Sequence, residues 1–205
     1  MAAADDPAED DFTLNQLSKF DRLTAQLSPG VRHAANSATC LRFPDKGAFD
    51  MVRPGIGLYG LPPSDHLEDA GLLPIATWKA TPTQVKVIHA GETVGYGRTY
   101  RADTSQVIAT LPVGYADGFF RMFSSPRGYI RLSSGEECPV VGRVSMDQIS
   151  VRVPHEIDLQ TEFHIVTNDY DDKTSMTGRA KEAGTINYEV ATSVANRVHR
   201  VYNNS

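Results

Sequence analysis

Apolar residues recur at spacings of three and four along Leu14, Leu17, Phe20, Leu23 and Leu27, which predicts an amphipathic helix over residues 12–27. Thr13 and Gln16 stand at the positions of a capping box, and Ser28-Pro29-Gly30 supplies a stop. The pattern then shortens. VRHAANSAT, the breakers Pro44 and Gly47, and AFDMVRPGIGLYG read as strand, loop, strand, an order that fits the tail of a β/α barrel. From about Ile75 the character changes. ATWKATPTQVKVI, QVIATLPVGY, YIRLSS, CPVVGRVSM, QISVRVP and EFHIVT are short, rich in Val, Ile and Thr, and separated by Gly, Pro, Ser or Asp. Regular short strands with turn signals between them predict an antiparallel β domain. Two helical pieces close the chain: TSMTGRAKEAG, ended by Gly184, and TINYEVATSVANRVHRVY. In the second, Val190, Val194, Val198 and Val201 fall at helical spacing and predict a core face.

The fold class is therefore α+β, with the last helix–strand units of a β/α barrel followed by a mostly antiparallel β domain and C-terminal helices. The expected divisions are an acidic, flexible lead-in at 1–11, the barrel remnant at 12–75 and the β domain at 76–205, with LPPSDHLEDAG as the joint. An eight-stranded β/α barrel needs roughly 250 residues. The 205 residues here are expected to hold only the end of one.

Composition narrows the function. With 40% apolar and 22% charged residues the chain is globular rather than disordered. A net charge of -5 and no basic face argue against a nucleic-acid partner. No apolar run approaches the ~20 residues of a membrane span, and the acidic start lacks the basic region of a signal peptide. Cys40 and Cys138 lie far apart without a C-x-x-C pattern, so two free thiols and a cytoplasmic setting are expected. The histidines show no ligand spacing, so no metal is expected, and no G-x-S-x-G elbow is present.

Four clusters can carry chemistry, and each also has a plain structural reading. In HAANSA, His33 to Ala38, small polar groups at a strand end either hold a phosphate or make a polar turn. In RPGIGLYG, Gly55 and Gly57 allow a close backbone approach, and Arg53 either points at a ligand or sits on the surface. Tyr96 in VGYGRTY and Tyr115 in VGYADG each follow a glycine. A tyrosine ionises near ~10 in water, so either serves as a base only beside a phenolate-stabilising group; otherwise it is a hydrogen-bond anchor. Finally, backbone N–H groups after Ser145 in VGRVSMDQ can bind a carboxylate, and Tyr188 in GTINYE can donate to a phosphate.

In this order and spacing, HAANSA, FDMVRPGIGLYG, VGYGRTY, LPVGYADGFFR, VVGRVSMDQ and GTINYEV resemble the C-terminal half of an alanine racemase, a fold-type III pyridoxal-phosphate enzyme, from about residue 13 to residue 202. The resemblance implies interconversion of L- and D-alanine, the source of D-alanine for the cell wall. It also implies that Asn36, Ser37 and the backbone of Gly55 and Ile56 bind the cofactor phosphate, with Tyr188 donating to it. Arg53 would face the pyridine nitrogen, with His33 as partner of Tyr96 or Arg53. An arginine there disfavours protonation of the ring and leaves a weaker electron sink, which suits an enzyme that must avoid side reactions. Tyr96 would be the base on the L face of alanine, Tyr115 would line the site, and the Met146 backbone would bind the substrate carboxylate. In the family Tyr96 and Met146 act in the partner subunit's site, which implies a homodimer. Serine and broad-specificity racemases share most of these motifs.

The sequence departs from the pattern at one place. Racemisation needs a lysine joined to the cofactor, which the family carries early in the barrel. Lys19, Lys46, Lys79, Lys86, Lys173 and Lys181 all lie in other contexts. A second copy brings no such lysine either. The chain alone is thus expected to be inactive: it acts with a missing barrel half, or is a truncated product that folds its β domain without binding cofactor, or is a non-catalytic dimerisation or interaction module.

Overall fold

An aspartate followed by a proline starts the first helical turn. Asp6 Oδ1 accepts from the Ala8 N–H at 2.9 Å, and a 3-10 helix over Pro7–Glu9 leads into α1, Asp10–Ala25. These features come from a computed structural model that describes residues 1–27, 30–67 and 70–203. Its internal contacts divide the chain into two units, Met1–Ile75 and Ala76–Ser205.

In the first unit α1 begins two residues before the predicted start, so Thr13 is an interior residue with a buried hydroxyl rather than a cap. Gln16 Oε1 instead accepts from the Ala2 N–H at 3.0 Å. The predicted stop at Ser28-Pro29 lies outside the described residues; α1 ends at Ala25, capped by Gln26. Of the predicted apolar stripe, Leu17 is buried while Leu23 and Leu27 are exposed. The acidic start, expected as flexible, is folded. Ala4 is fully buried, and Arg42 donates to the Ala4 carbonyl and pairs with Asp10 at 2.7 Å.

The two predicted strands of this unit shrink to one parallel bridge, His33 to Met51. The Met51 N–H donates to Arg32 O at 3.2 Å and the Arg53 N–H to Ala35 O at 2.9 Å. The pairing stops there because Asn36 caps α2, Ser37–Arg42, and the turn at Pro54 opens a 3-10 helix over Gly55–Tyr59. Extended chain is left with only a few residues on either side. A short helix, α3 (Pro44–Gly47), lies between them.

The second unit holds the predicted strands. They are β1 (Trp78–Ala80), β2 (Gln84–Ile88), β5 (Gln106–Leu111), β6 (Tyr129–Leu132), β7 (Glu137–Val141), β8 (Ile149–Val153) and β9 (Phe163–Val166). A two-residue pair that the sequence pattern did not reveal, β3 (Thr93–Val94) and β4 (Tyr100–Arg101), forms a separate antiparallel ribbon. The large sheet runs β1-β9-β6-β7-β8-β5-β2, antiparallel throughout. Its two edge strands are joined by only residues 81–83, so the sheet must curl to bring its edges together.

Period-two alternation then fills two faces. Ala109, Leu111, Val140, Val151, Phe163 and Ile165 enter the main core with Phe119 and Phe123. Their neighbours Ile108 and Val141 turn to the other face, where Ile88, Val94 and Ala102 cover them. The β3–β4 ribbon is thereby fixed to the sheet.

Two helices follow. Ser175 caps α4, Met176–Ala183, which Gly184 ends as the sequence predicts. The last helix, α5, covers only Asn187–Ser193. The valine stripe is therefore broken: Val190 is buried, but Val194 has left the helix and Val201 is exposed. The reason is local, since the next residue's N–H is taken by Asp117 O at 3.0 Å (Ala195).

On α4, Arg179 is almost fully buried. It donates to the Ile165 and Tyr129 carbonyls and lies 5.0 and 5.3 Å over the rings of Phe119 and Phe123. Burial pulls its pKa down to about 10, and burial, seconded by the Glu182 charge, pushes the neighbouring Tyr129 up to about 12.

Candidate functional site

The candidate residues fall into two sets, one in each unit. In the first unit the parallel bridge sets His33 beside the strand end that carries Arg53. Arg53 Nη1 lies 2.6 Å from His33 Nδ1. Arginine has no acceptor, so in this contact Arg53 donates and His33 Nδ1 accepts. Of the two expected partners of His33, Arg53 is the one within this unit, and it is in contact. Among the described residues His33 alone is hydrogen-bonded to that guanidinium, which leaves its remaining N–H groups for a ligand.

Ser37 and Gly55 open α2 and the 3-10 helix, and these openings lie side by side. Ser37 Oγ donates to Pro54 O and accepts from the Gly57 N–H at 3.2 Å. A Cβ at Gly55 would stand 3.4 Å from Ser37 Oγ, so a side chain there would fill the space between the two openings. The N–H groups of Gly55 and Ile56 have no acceptor among the described residues. This cradle of small residues and unpaired N–H groups fits a phosphate. Asn36 does not point into it. Its Oδ1 caps α2, accepting from the Thr39 N–H at 3.0 Å, and its Nδ2 donates to Met1 O, so its part is to hold the helix. Burial raises the Cys40 thiol on α2, with the Arg53 charge acting in the opposite sense.

In the second unit the register of the sheet gathers three loops at one end. Leu111 pairs with Ile149 and Val141 with Ser150, so the loop after β5 and the β7–β8 loop leave the sheet together. The Tyr115 N–H donates to Ser145 O at 3.0 Å and the Ala116 N–H to Met146 O at 2.9 Å. A Cβ on Gly114 would lie 2.4 Å from the Met146 backbone, so only glycine permits this approach. The N–H groups of Met146 and Asp147 have no acceptor among the described residues, and such a pair can receive an anion.

Tyr96 stands on the β3–β4 loop, 73% exposed, between Gly95 (φ 76°) and Gly97 (φ 73°). A Cβ at Gly95 would meet the Arg143 N at 3.2 Å, which sets this loop against the same β7–β8 loop. Tyr188 sits in the first turn of α5, half-buried.

The sequence reading missed Asp117, Arg197 and Arg143. Asp117 reads as an ordinary turn residue in VGYADG, and its partner Arg197 is 80 residues away, beyond the reach of local pattern. All six lysines are exposed, and Lys79 is paired with Glu162. Among the described residues no cluster has the makeup of a metal site, and no helix is long and apolar enough to cross a membrane.

Comparison with known proteins gives one consistent result. The sequence profile of the alanine racemase C-terminal domain matches residues 75–202, and that of the N-terminal domain matches residues 1–63. An alanine racemase of Streptococcus pneumoniae (strain Hungary19A-6) is 40% identical over an alignment of 206 residues that covers 98% of this chain and 55% of the relative. Among solved structures, an alanine racemase from Streptomyces coelicolor A3(2) has a TM-score of 0.85 at 36% identity, over 100% of this chain and 55% of that one. One from Clostridium difficile 630 in complex with cycloserine has a TM-score of 0.83 at 35% identity, over 97% and 53%. The chain spans about half the length of the relatives it matches.

Proposed function

The chain belongs to the alanine racemase family, an isomerase family, and we propose that it carries the C-terminal part of a pyridoxal-phosphate-dependent alanine racemase. The observation that carries this reading is the Arg53–His33 pair beside the Ser37–Gly55 cradle. A guanidinium held by an imidazole nitrogen, next to N–H groups without a described acceptor, suits a phosphorylated pyridine whose ring nitrogen stays unprotonated.

Bound pyridoxal phosphate supplies an electron sink that makes the α-proton of an amino acid labile. The residues of this chain do the rest. Ser37 and the N–H groups of Gly55 and Ile56 hold the phosphate, and Tyr188 donates to it. Arg53 would meet the pyridine nitrogen, where its fixed charge would oppose protonation, and His33 holds its guanidinium. The Met146 N–H binds the alanine carboxylate, Tyr115 lines the substrate's position, and Tyr96 takes and returns the proton on the L face. Tyr96 and Met146 serve a partner subunit's cofactor in this reading, so the working form is a homodimer, acting in the cytoplasm.

The cofactor-anchoring lysine is the group this chain does not bring, since its six lysines are exposed and stand outside the cofactor cradle's motifs. By itself the chain therefore does not racemise alanine, and it requires the remaining barrel portion. The test is D-alanine formation from L-alanine with added pyridoxal phosphate. The chain is assayed alone and joined to the N-terminal portion of the Streptococcus pneumoniae relative. Turnover only in the joined form, lost in Tyr96→Phe, supports the reading. Turnover by the chain alone overturns the lysine argument, and none in a folded joined form overturns the assignment.

A further inference from the structure

We propose that Asp117 is a positioning residue that ties the loop carrying Tyr115 to the segment leaving α5, with Arg197 as its lever. What it positions rests on the function proposed above; the coupling itself does not. One carboxylate serves both places. Asp117 Oδ2 accepts from the Gly114 N–H at 2.8 Å, inside the turn that presents Tyr115. Asp117 Oδ1 accepts from Arg197 Nε at 2.7 Å, and its backbone carbonyl accepts from the Ala195 N–H at 3.0 Å.

The carboxylate end of this pair is enclosed by its surroundings, while the Arg197 side chain is 51% exposed. The Asp117 side chain is 11% exposed. The next residue, Gly118, is packed so closely that a Cβ would lie 2.6 Å from Ser193 O, at the last residue of α5. On the other side, Gly114 is pressed onto the Met146 backbone, and Met146 O accepts from the Ala116 N–H. Arg197, Asp117, Gly114 and Met146 thus form a continuous set of contacts. Through it the end of the Tyr188 helix fixes the height of Tyr115 and the direction of the Met146 N–H. A buried carboxylate that loses its cation keeps the desolvation cost and turns toward other donors, which frees the Gly114 N–H.

The test is amide hydrogen exchange and the Tyr115 ring resonances in the full chain, comparing Arg197→Gln, Arg197→Lys and Arg200→Gln. Arg200 provides the control, since among the described residues it bonds to carbonyls of its own segment. Arg197→Gln should raise exchange at Gly114 and Ala116 about tenfold and shift the Tyr115 ring, while amides of β5 and β8 stay protected. Arg197→Lys should restore part of the protection. Unchanged exchange and ring shifts in Arg197→Gln would overturn the proposal, as would an equal response to Arg200→Gln. Absence of racemase activity would leave this result standing, and in the active joined enzyme Arg197→Gln should raise KM for alanine.

Discussion

The two units solve the problem of holding site residues in different ways. Residues 76–203 have two apolar clusters, a seven-stranded curled sheet, and a buried arginine that ties strand carbonyls to aromatic rings. In residues 1–75 the buried apolar side chains are chiefly alanines, with Leu17, Ile56 and Leu61. Polar ties do much of the holding there: Arg42 to Asp10 and Ala4 O, Arg32 to Asp21 and Asp50, and Arg53 to His33. Phe12, Leu23, Leu27, Val31, Met51, Val52 and Leu58 are exposed in that unit. Tyr96, Tyr115 and the Met146 loop thus stand on a unit with an extensive apolar core. The Ser37–Gly55 cradle stands on a unit with little apolar burial of its own.

The sharpest way to break this contrast is Arg179→Ala. It leaves the Ile165 and Tyr129 carbonyls without their donor and opens a hole against Phe119 and Phe123. The second unit should lose about 3 kcal/mol, read from the denaturant midpoint of its transition. A loss below the usual range of surface substitutions, ±0.5 kcal/mol, would show the buried cation to be dispensable.

Limited proteolysis makes the comparison directly. Cleavage should remove residues 1–75 first and leave a resistant product near 76–202; equal resistance of the two units would contradict the difference in burial. A smaller effect is expected from Arg42→Gln, which removes the tie to Asp10 and Ala4 O. It should hasten cleavage within residues 1–75 by roughly fivefold, about 1 kcal/mol for a partly exposed pair, without altering the second unit.

The smallest effect is a pH dependence in the second unit. Burial alone would raise the Asp172 carboxyl, but hydrogen bonds from Thr174 and the Arg131 charge outweigh it and hold the pKa below the ordinary aspartate value. A depressed folded pKa gives stability that is complete above the unfolded value, ~3.9, and is lost as pH falls through the lower folded one. Stability should therefore decline on acidification below about pH 4. Arg131→Gln should make that acid limb shallower, as measured by thermal unfolding against pH.

What the sequence disclosed follows the same divide. β5 to β9 were legible because alternate residues face a real core, so a period of two is written into Val, Ile and Phe. The ribbon of β3 and β4 has two residues per strand, too few to carry a period. The first helix was misplaced because Thr13 and Gln16 imitate a cap while Asp6-Pro7 makes the turn. The last was overextended because Val194, Val198 and Val201 keep helical spacing after the backbone has left to bond with Asp117. The candidate site was legible as motifs, and Arg53 with His33 as one of two pairings. Asp117 with Arg197 was not, because nothing near either residue in sequence announces the other.

The most direct measurement is D-alanine formation from L-alanine with pyridoxal phosphate, by the chain alone and joined to the N-terminal portion of a relative. The expected result is no turnover alone and turnover in the joined form that Tyr96→Phe abolishes. Turnover by the isolated chain, or a joined enzyme indifferent to Tyr96→Phe, would contradict it.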